Sequence, residues 1–184
     1  MLDKIVAFLM LIGLSPVFLM VMLFILLDDG FPVFFTQKRV GINYTFFKLY
    51  KFRTMKKNTP NVATHLLENP AQYVLKVGSL LRKLSLDELP NLINIVKGDM
   101  VFVGPRPALY NQDDLMQLRV DAGVSHLKPG LTGWAQINGR DEISLEEKVA
   151  LEKEYLQRKS FLFDVKIFFM TFTSAFLKKE GVSH

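Results

Sequence analysis

The chain contains no cysteine. Disulfide bonds, thiol nucleophiles and thiolate-held metals are therefore excluded, and the composition fits a reducing compartment. Histidine is nearly as scarce: His65, His126 and His184 are scattered, and no His-Glu-x-x-His is present, so zinc centres and histidine-based triads have little basis. There is no Walker loop and no Gly-x-Gly-x-x-Gly following a strand. Runs of five or more Lys/Arg, zinc-finger spacing and RNP patterns are also missing, so nucleic acid is not an expected partner. No Gly/Ser-rich or Pro-rich linker divides the 184 residues, and no internal repeat is evident. One globular unit plus an anchor is the economical reading.

What is present is unevenly distributed. The formal charge is +5, but residues 1–30 carry Lys4 against Asp3, Asp28 and Asp29, which leaves +7 on the remainder. Such a basic body suits anionic lipid headgroups or a polyphosphate substrate.

From Ile5 to Leu27 there are 23 residues without a formal charge. As a straight helix they would reach about 35 Å, enough for a hydrocarbon core of roughly 30 Å. A cleaved signal peptide is disfavoured, because no small-x-small processing site ends the run and Asp28-Asp29 follows directly. Ser15-Pro16 interrupts the middle: Pro16 lacks an N–H and clashes with the carbonyl of Ile12, and Ser15 can cap a freed group. Such a break suits either a kinked spanning helix or a hairpin that leaves both ends on one face. Lys4 before the run and Lys38, Arg39, Lys48 and Lys51 after it make either end compatible with the cytoplasmic side.

In the body, Val33–Gln37 and Thr45–Phe52 are β-branched and aromatic around the turn signal Gly41-Ile42-Asn43, which predicts a hairpin. Residues 58–70 read as a loop or broken helix. Helical spacing runs from Tyr73 to Leu84 and again from Leu86 to Val96, the second helix starting at or next to Asp87, with Ser85-x-x-Glu88 at capping-box spacing. Turn chemistry at Gly98-Asp99 and Gly104–Pro107 flanks the short apolar run Met100–Val103. Lys128–Arg140 is Gly-rich with brief strand character. Ser144–Gln157 predicts a helix capped by Ser144-x-x-Glu147, and Phe161–Lys179 an aromatic, interfacial amphipathic helix. The expected fold is α/β, mostly helical with small strand content. Residues 1–29 form the membrane segment, and residues 30–184 form a compact cytosolic domain at the interface.

Asp87-Glu88, preceded by Arg82 and Lys83, is the sharpest chemical candidate. Acidic residues in a first helical turn can simply favour the macrodipole. A helix N-terminus with Arg82 nearby would also lower a carboxylate pKa and keep the group anionic, as an oxygen nucleophile or a ligand for Mg²⁺. Prolines on both sides of Arg106, in Pro105-Arg106-Pro107, restrict the backbone as bidentate phosphate recognition requires. The Gly-rich stretch can expose backbone N–H groups to an anion or be a plain loop. Lys51-Phe52-Arg53 reads equally as a solvated strand edge or a phosphate contact. Asp28-Asp29 suits a membrane boundary, and Asp113-Asp114 a helix start. The bland alternative for the whole chain is a non-catalytic membrane adaptor with a basic lipid-binding face.

The ordered set Ser15-Pro16, Gln37-Lys38-Arg39, Tyr50–Met55, Leu81–Pro90, Lys97–Met100, Val103–Pro107 and Lys128–Arg140 resembles the small monotopic phosphoglycosyl transferases. These are bacterial sugar transferases that initiate polysaccharide or glycoprotein glycan assembly. The resemblance implies a re-entrant membrane helix broken at Ser15-Pro16, on the cytoplasmic face of the bacterial inner membrane. It implies that Asp87 attacks the sugar-bearing phosphate of a UDP-sugar and releases UMP, and that a polyprenyl phosphate such as undecaprenyl phosphate then takes the sugar phosphate. Asp87 would contact Mg²⁺, and Glu88 would help organise the metal and acceptor proton transfer. Arg82 matches a phosphate-binding arginine; Arg53, Pro105, Arg106, Pro107, Gln136 and Arg140 fall where the donor is bound. An N-acetylated hexose, 6-deoxy forms included, is the donor the resemblance suggests first, and a minimal catalytic form is implied. The aromatic surface of the last helix is available to lipid or to a second copy of the chain.

Overall fold

In the computed structural model, which describes residues 1–60, 69–139 and 143–177, the N-terminal apolar run forms two helices. α1 spans Leu2–Gly13 and α2 spans Ser15–Asp29, bent by 62° across the break. The cause is local. Pro16 has no N–H for the carbonyl of Ile12, and the Ser15 hydroxyl donates to that carbonyl instead at 2.7 Å. Neither helix alone is long and apolar enough to cross a membrane.

Each half buries a narrow stripe. Ala7 of α1 packs with Leu49, Leu92, Ile95 and Met100, while Val21 and Ile25 of α2 pack with Val33, Phe52, Leu75 and Leu81. Ile5, Phe8, Leu9 and Ile12 on one half and Leu19, Leu23 and Leu27 on the other face outward. Both ends are tied to the same body. Asp3 accepts from the Phe102 N–H at 3.2 Å; Asp28 accepts from the Val77 N–H at 3.2 Å, and Asp29 pairs with Arg53.

β1 (Phe34–Val40) and β2 (Phe46–Phe52) form the expected antiparallel hairpin, with Phe35 opposite Lys51, Gln37 opposite Leu49 and Arg39 opposite Phe47. Because side chains alternate across a strand, these six share one face. The helix expected over Tyr73–Leu84 is broken. α3 (Pro70–Tyr73) ends at Val74, which is extended and bridges Met55, and the Leu75 N–H donates to Thr54 before α4 (Lys76–Lys83) begins. Pairing with a distant strand-like segment overrides the local period here.

The helix expected from Leu86 is also corrected. Leu86–Glu88 is a single 3₁₀ turn entered through Ser85 in the left-handed region, φ 55°, and Ser85 makes no side-chain cap. α5 is Asn91–Lys97 with Pro90 in the N-cap position, where the missing donor costs nothing. β3 (Val101–Val103) pairs in parallel with β4 (Gly130–Thr132). Between them lies α6 (Asp113–Asp121), and after β4 comes α7 (Trp134–Asn138), a helix hidden in the Gly-rich stretch. α8 (Leu145–Arg158) has the reciprocal Ser144–Glu147 capping box. α9 (Phe161–Leu177) buries Phe163 and Ile167 but exposes Phe161, Leu162 and Phe169, so over residues 161–171 apolar side chains lie on both the inward and the outward side. The largest core joins Val103, Leu115, Met116, Val149, Tyr155, Phe163 and Ile167. Each of its larger side chains is worth about 1.5–3 kcal/mol when withdrawn from water. The described residues are thus mostly helical, with two small two-stranded sheets.

Candidate active site

A cleft of about 280 Å³, counting the space open to solvent, lies between the hairpin and the ends of β3 and β4. Arg39, Lys51, Glu88, Asn91, Arg106 and Pro107 line it over a floor of Leu49, Met100 and Leu131. Among the described residues three cations therefore meet one anion there, a balance that suits a diphosphate.

The close approach of two backbone segments builds one wall. A Cβ at Gly130 would fall 2.1 Å from the Gly104 nitrogen, and one at Gly133 would fall 2.1 Å from the Gly104 carbonyl oxygen. Only hydrogens fit at these crossings, so the Lys128–Gly133 segment lies directly on Gly104-Pro105-Arg106-Pro107. The Val101 N–H donates to Pro129, that of Gly104 to Thr132, and that of Gly130 to Pro105, at 2.8–2.9 Å.

The acidic pair enters from the 3₁₀ turn. Lys51 Nζ donates to Glu88 Oε1 at 2.7 Å, an ion pair drawn from the cleft face of the hairpin. Among the described residues no side chain hydrogen-bonds the Asp87 carboxylate, although Lys51 and Arg82 both attract it. Asp87 does not line the cleft itself; it stands beside Glu88, which does. Burial raises the Asp87 pKa, Lys51 lowers it, Glu88 raises it and Arg82 lowers it, with burial the largest effect and the net shift upward. The lowered pKa expected of a helix N-terminus is thus reversed. The α-helix starts four residues later, and desolvation outweighs the two cations. Arg82, partly buried, has its own pKa lowered by that burial against the pull of Asp87, and its Nε donates to Thr54 at 2.9 Å.

The remaining sequence candidates are distributed differently. Arg106 and Pro107 line the cleft, whereas Pro105 faces a second, smaller cavity behind it. Gln136 sits on α7 with Nε2 donating to the Leu131 carbonyl at 3.3 Å and its buried Oε1 without a partner among the described residues. Arg140 lies outside the described residues. Arg53 is neither a solvated edge nor a free phosphate contact. It is 6% exposed, and its five N–H groups are spent on Asp29 and on the carbonyls of Pro32, Gly30, Asp29 and Met55. Sequence reasoning passed over Asn91, gave Arg39 no role in the site and left Lys51 undecided. The hairpin's two-residue alternation places Arg39 and Lys51 on one face, but nothing in the sequence marked that face as the cleft wall.

No group of three His, Cys, Asp or Glu among the described residues could enclose a metal ion. Mg²⁺ asks for less, since it keeps waters and takes one or two carboxylates plus substrate phosphates. Asp87 and Glu88 are adjacent hard oxygens. Asn91, 3% exposed and lining the same cleft, has a buried Oδ1 that no donor among the described residues satisfies. This donor set fits such an ion.

Comparison with known proteins covers nearly the whole chain. Residues 1–178 match the family described as bacterial sugar transferase. The chain is 41% identical to the exopolysaccharide production protein ExoY of Sinorhizobium fredii, over 96% of this chain and 84% of that protein. It is 40% identical to the UDP-glucose:undecaprenyl-phosphate glucose-1-phosphate transferase of Escherichia coli K12, over 97% of this chain and 40% of that longer protein. It is 37% identical to the undecaprenyl-phosphate glucose phosphotransferase of Komagataeibacter xylinus, over 92% and 34% respectively.

Proposed function

The chain belongs to the bacterial sugar transferase family, and on that premise we propose that it moves a sugar 1-phosphate from a UDP-sugar to polyprenyl phosphate, releasing UMP. One observation carries the reading. Of two adjacent carboxylates, Glu88 is held by Lys51, while among the described residues no side chain hydrogen-bonds Asp87, which lies in the field of Lys51 and Arg82. A nucleophile needs that freedom, and the two cations temper the repulsion between a carboxylate and a phosphate.

In the first displacement an Asp87 oxygen bonds to the sugar-bearing β-phosphorus. The bond from that phosphorus to the bridging oxygen breaks, and UMP leaves with that oxygen. In the second, an oxygen of polyprenyl phosphate attacks the same phosphorus, and Asp87 departs as a carboxylate. Arg39, Lys51 and Arg106 hold the diphosphate in the cleft. Arg82 faces Asp87, Pro105 and Pro107 stiffen Arg106, and Gln136 and Arg140 belong to the donor side. Glu88 accepts the proton that the polyprenyl phosphate gives up as its oxygen attacks, and passes it to water. Asp87 and Glu88, with Asn91 in reach of the same cleft, would hold Mg²⁺, which when bound would supply charge neutralisation at the phosphoryl oxygens. Because two relatives are named for glucose, UDP-glucose is the first donor to try, ahead of the N-acetylated hexose expected from the sequence.

The assay is direct. Purified protein given UDP-glucose and other UDP-sugars, Mg²⁺ and undecaprenyl phosphate should release UMP in excess over enzyme only when the lipid phosphate is present. Release of UDP would mean that sugar moves without its phosphate, and the proposal would fail. The adaptor alternative has no observation in its favour.

The bent pair is re-entrant in this reading, with the active site on the cytoplasmic face of the inner membrane. Asp3 at one end and Asp28 and Asp29 at the other are bonded to a single body, which supports both ends lying on one side. The outward apolar stripes of α1 and α2 and the exposed aromatics of α9 are then lipid-facing. In this cysteine-free chain, Leu2→Cys and Phe31→Cys, both at exposed positions, should react with a membrane-impermeant maleimide only from the cytoplasmic side. Labelling of the two from opposite sides would restore a spanning helix.

A further inference from the structure

The Pro105-Arg106-Pro107 loop has few hydrogen-bond handles, because each proline lacks an N–H. Its carbonyls must hold it. Four in succession each accept from a different place: Pro105 from the Gly130 N–H at 2.8 Å, Arg106 from Arg119 Nη2 at 2.9 Å, Pro107 from Arg39 Nη1 at 2.9 Å, and Ala108 from the Val40 N–H at 3.0 Å. Two of the four donors are backbone groups that any residue but proline would supply. The other two are guanidinium groups.

Arg39 lines the cleft and belongs to the site already described. Arg119 does not. It stands on α6, 6% exposed, behind the loop in the second cavity, and its other contacts are to Glu152 of α8. Its Nε donates to Glu152 Oε2 at 2.8 Å and its Nη2 to Oε1 at 2.5 Å; Glu152 is 2% exposed. Both charges are buried in the main core. A buried pair of this kind is poorly explained by stability, since well-packed apolar residues of similar volume commonly do as well or better. What apolar residues cannot do is donate to the Arg106 carbonyl.

We infer that Arg119, oriented by Glu152, is a positioning residue for the transfer reaction: it holds the Arg106 backbone so that the Arg106 guanidinium is presented to the donor diphosphate in the cleft. The inference rests on the reading of Arg106 as a donor contact. Glu152 makes the fork rigid, because an arginine bound through Nε and Nη2 to one carboxylate has a single orientation in which the second N–H of Nη2 meets the loop. The pair thereby links α6 and α8, which carry no cleft residue, to the geometry of the site.

The test is a double-mutant cycle in kinetics. The variant Arg119→Met with Glu152→Leu removes both charges at once and should melt close to the wild type. Its kcat/KM for the UDP-sugar should nevertheless fall between about 10- and 100-fold, with KM raised, as small misplacements of a binding group do. In an Arg106→Ala background the same pair of changes should cost little more, because its effect passes through Arg106. If the double variant is too unstable to purify, Arg119→Lys keeps a charge opposite Glu152 but cannot occupy both nitrogen positions, and it should show the same non-additivity. Wild-type kinetics in a folded Arg119 variant, or losses that multiply with Arg106→Ala, overturn the inference alone. An Arg106→Ala enzyme with wild-type kinetics overturns the donor-contact reading, and the inference with it.

Discussion

Asp87→Asn is expected to reduce UMP release by at least about 10³-fold, the scale on which loss of a covalent nucleophile is felt. It should also abolish the enzyme adduct, seen as a mass increase of one sugar phosphate when UDP-sugar is supplied without lipid acceptor. The same substitution should leave the fold more stable at neutral pH. Burial raises the Asp87 pKa in the folded chain, so the protonated form is favoured there relative to the unfolded chain. The stability of the protonated state is fully present below the unfolded value, about 4 for an aspartate, and is lost as pH rises through the raised folded value. The amide of the variant carries no charge at any pH. Melting curves of wild type and variant should therefore coincide in acid and separate as pH rises above about 4, the variant melting higher. A variant that turns over at the wild-type rate removes the covalent route; one that melts lower at neutral pH removes the argument that a desolvated charge is held there for function.

Arg53→Ala should act in the opposite way, on stability rather than chemistry. Its guanidinium holds the chain as it leaves α2, through the carbonyls of Gly30 and Pro32 and the Asp29 side chain. Each carbonyl that water cannot reach in its place costs about 1–3 kcal/mol when its donor is removed. The exposed side of the pair with Asp29 adds little. A loss of several kcal/mol in a chain of this size lowers Tm by roughly 10 °C. KM for the UDP-sugar, measured below the new transition, should be unchanged. An unchanged Tm with a raised KM would return Arg53 to the donor site.

The two residues show where sequence reasoning succeeds and where it stops. Arg53 lies two positions from Lys51 and carries the same formal charge, and nothing local separates them. At that spacing they begin with the same orientation, but β2 ends at Phe52. Lys51 remains on the cleft face and reaches Glu88, whereas Arg53 has left the sheet and turns to the end of α2. Burial sets the other limit. A carboxylate beside basic residues reads as an anion with a lowered pKa, because sequence displays neighbours and not solvent. The same blindness hid the Arg119–Glu152 pair, which is separated by 33 positions and unremarkable at either.

The sequence alone determined the features governed by local covalent chemistry. These are the break at Ser15-Pro16, where a proline has no donor to give; the hairpin, from its β-branched and aromatic residues on either side of a turn signal; the α8 capping box; and the adjacency of two carboxylates at Asp87-Glu88. Tertiary structure decided which anion and which cations are spent on each other. It gave Lys51 to Glu88 and left Asp87 with no side-chain hydrogen bond among the described residues, turned Arg53 inward, and pinned Pro105–Pro107 by its carbonyls. Such choices depend on distances between residues far apart in the chain and on the exclusion of water from between them, and neither quantity exists until the chain has folded.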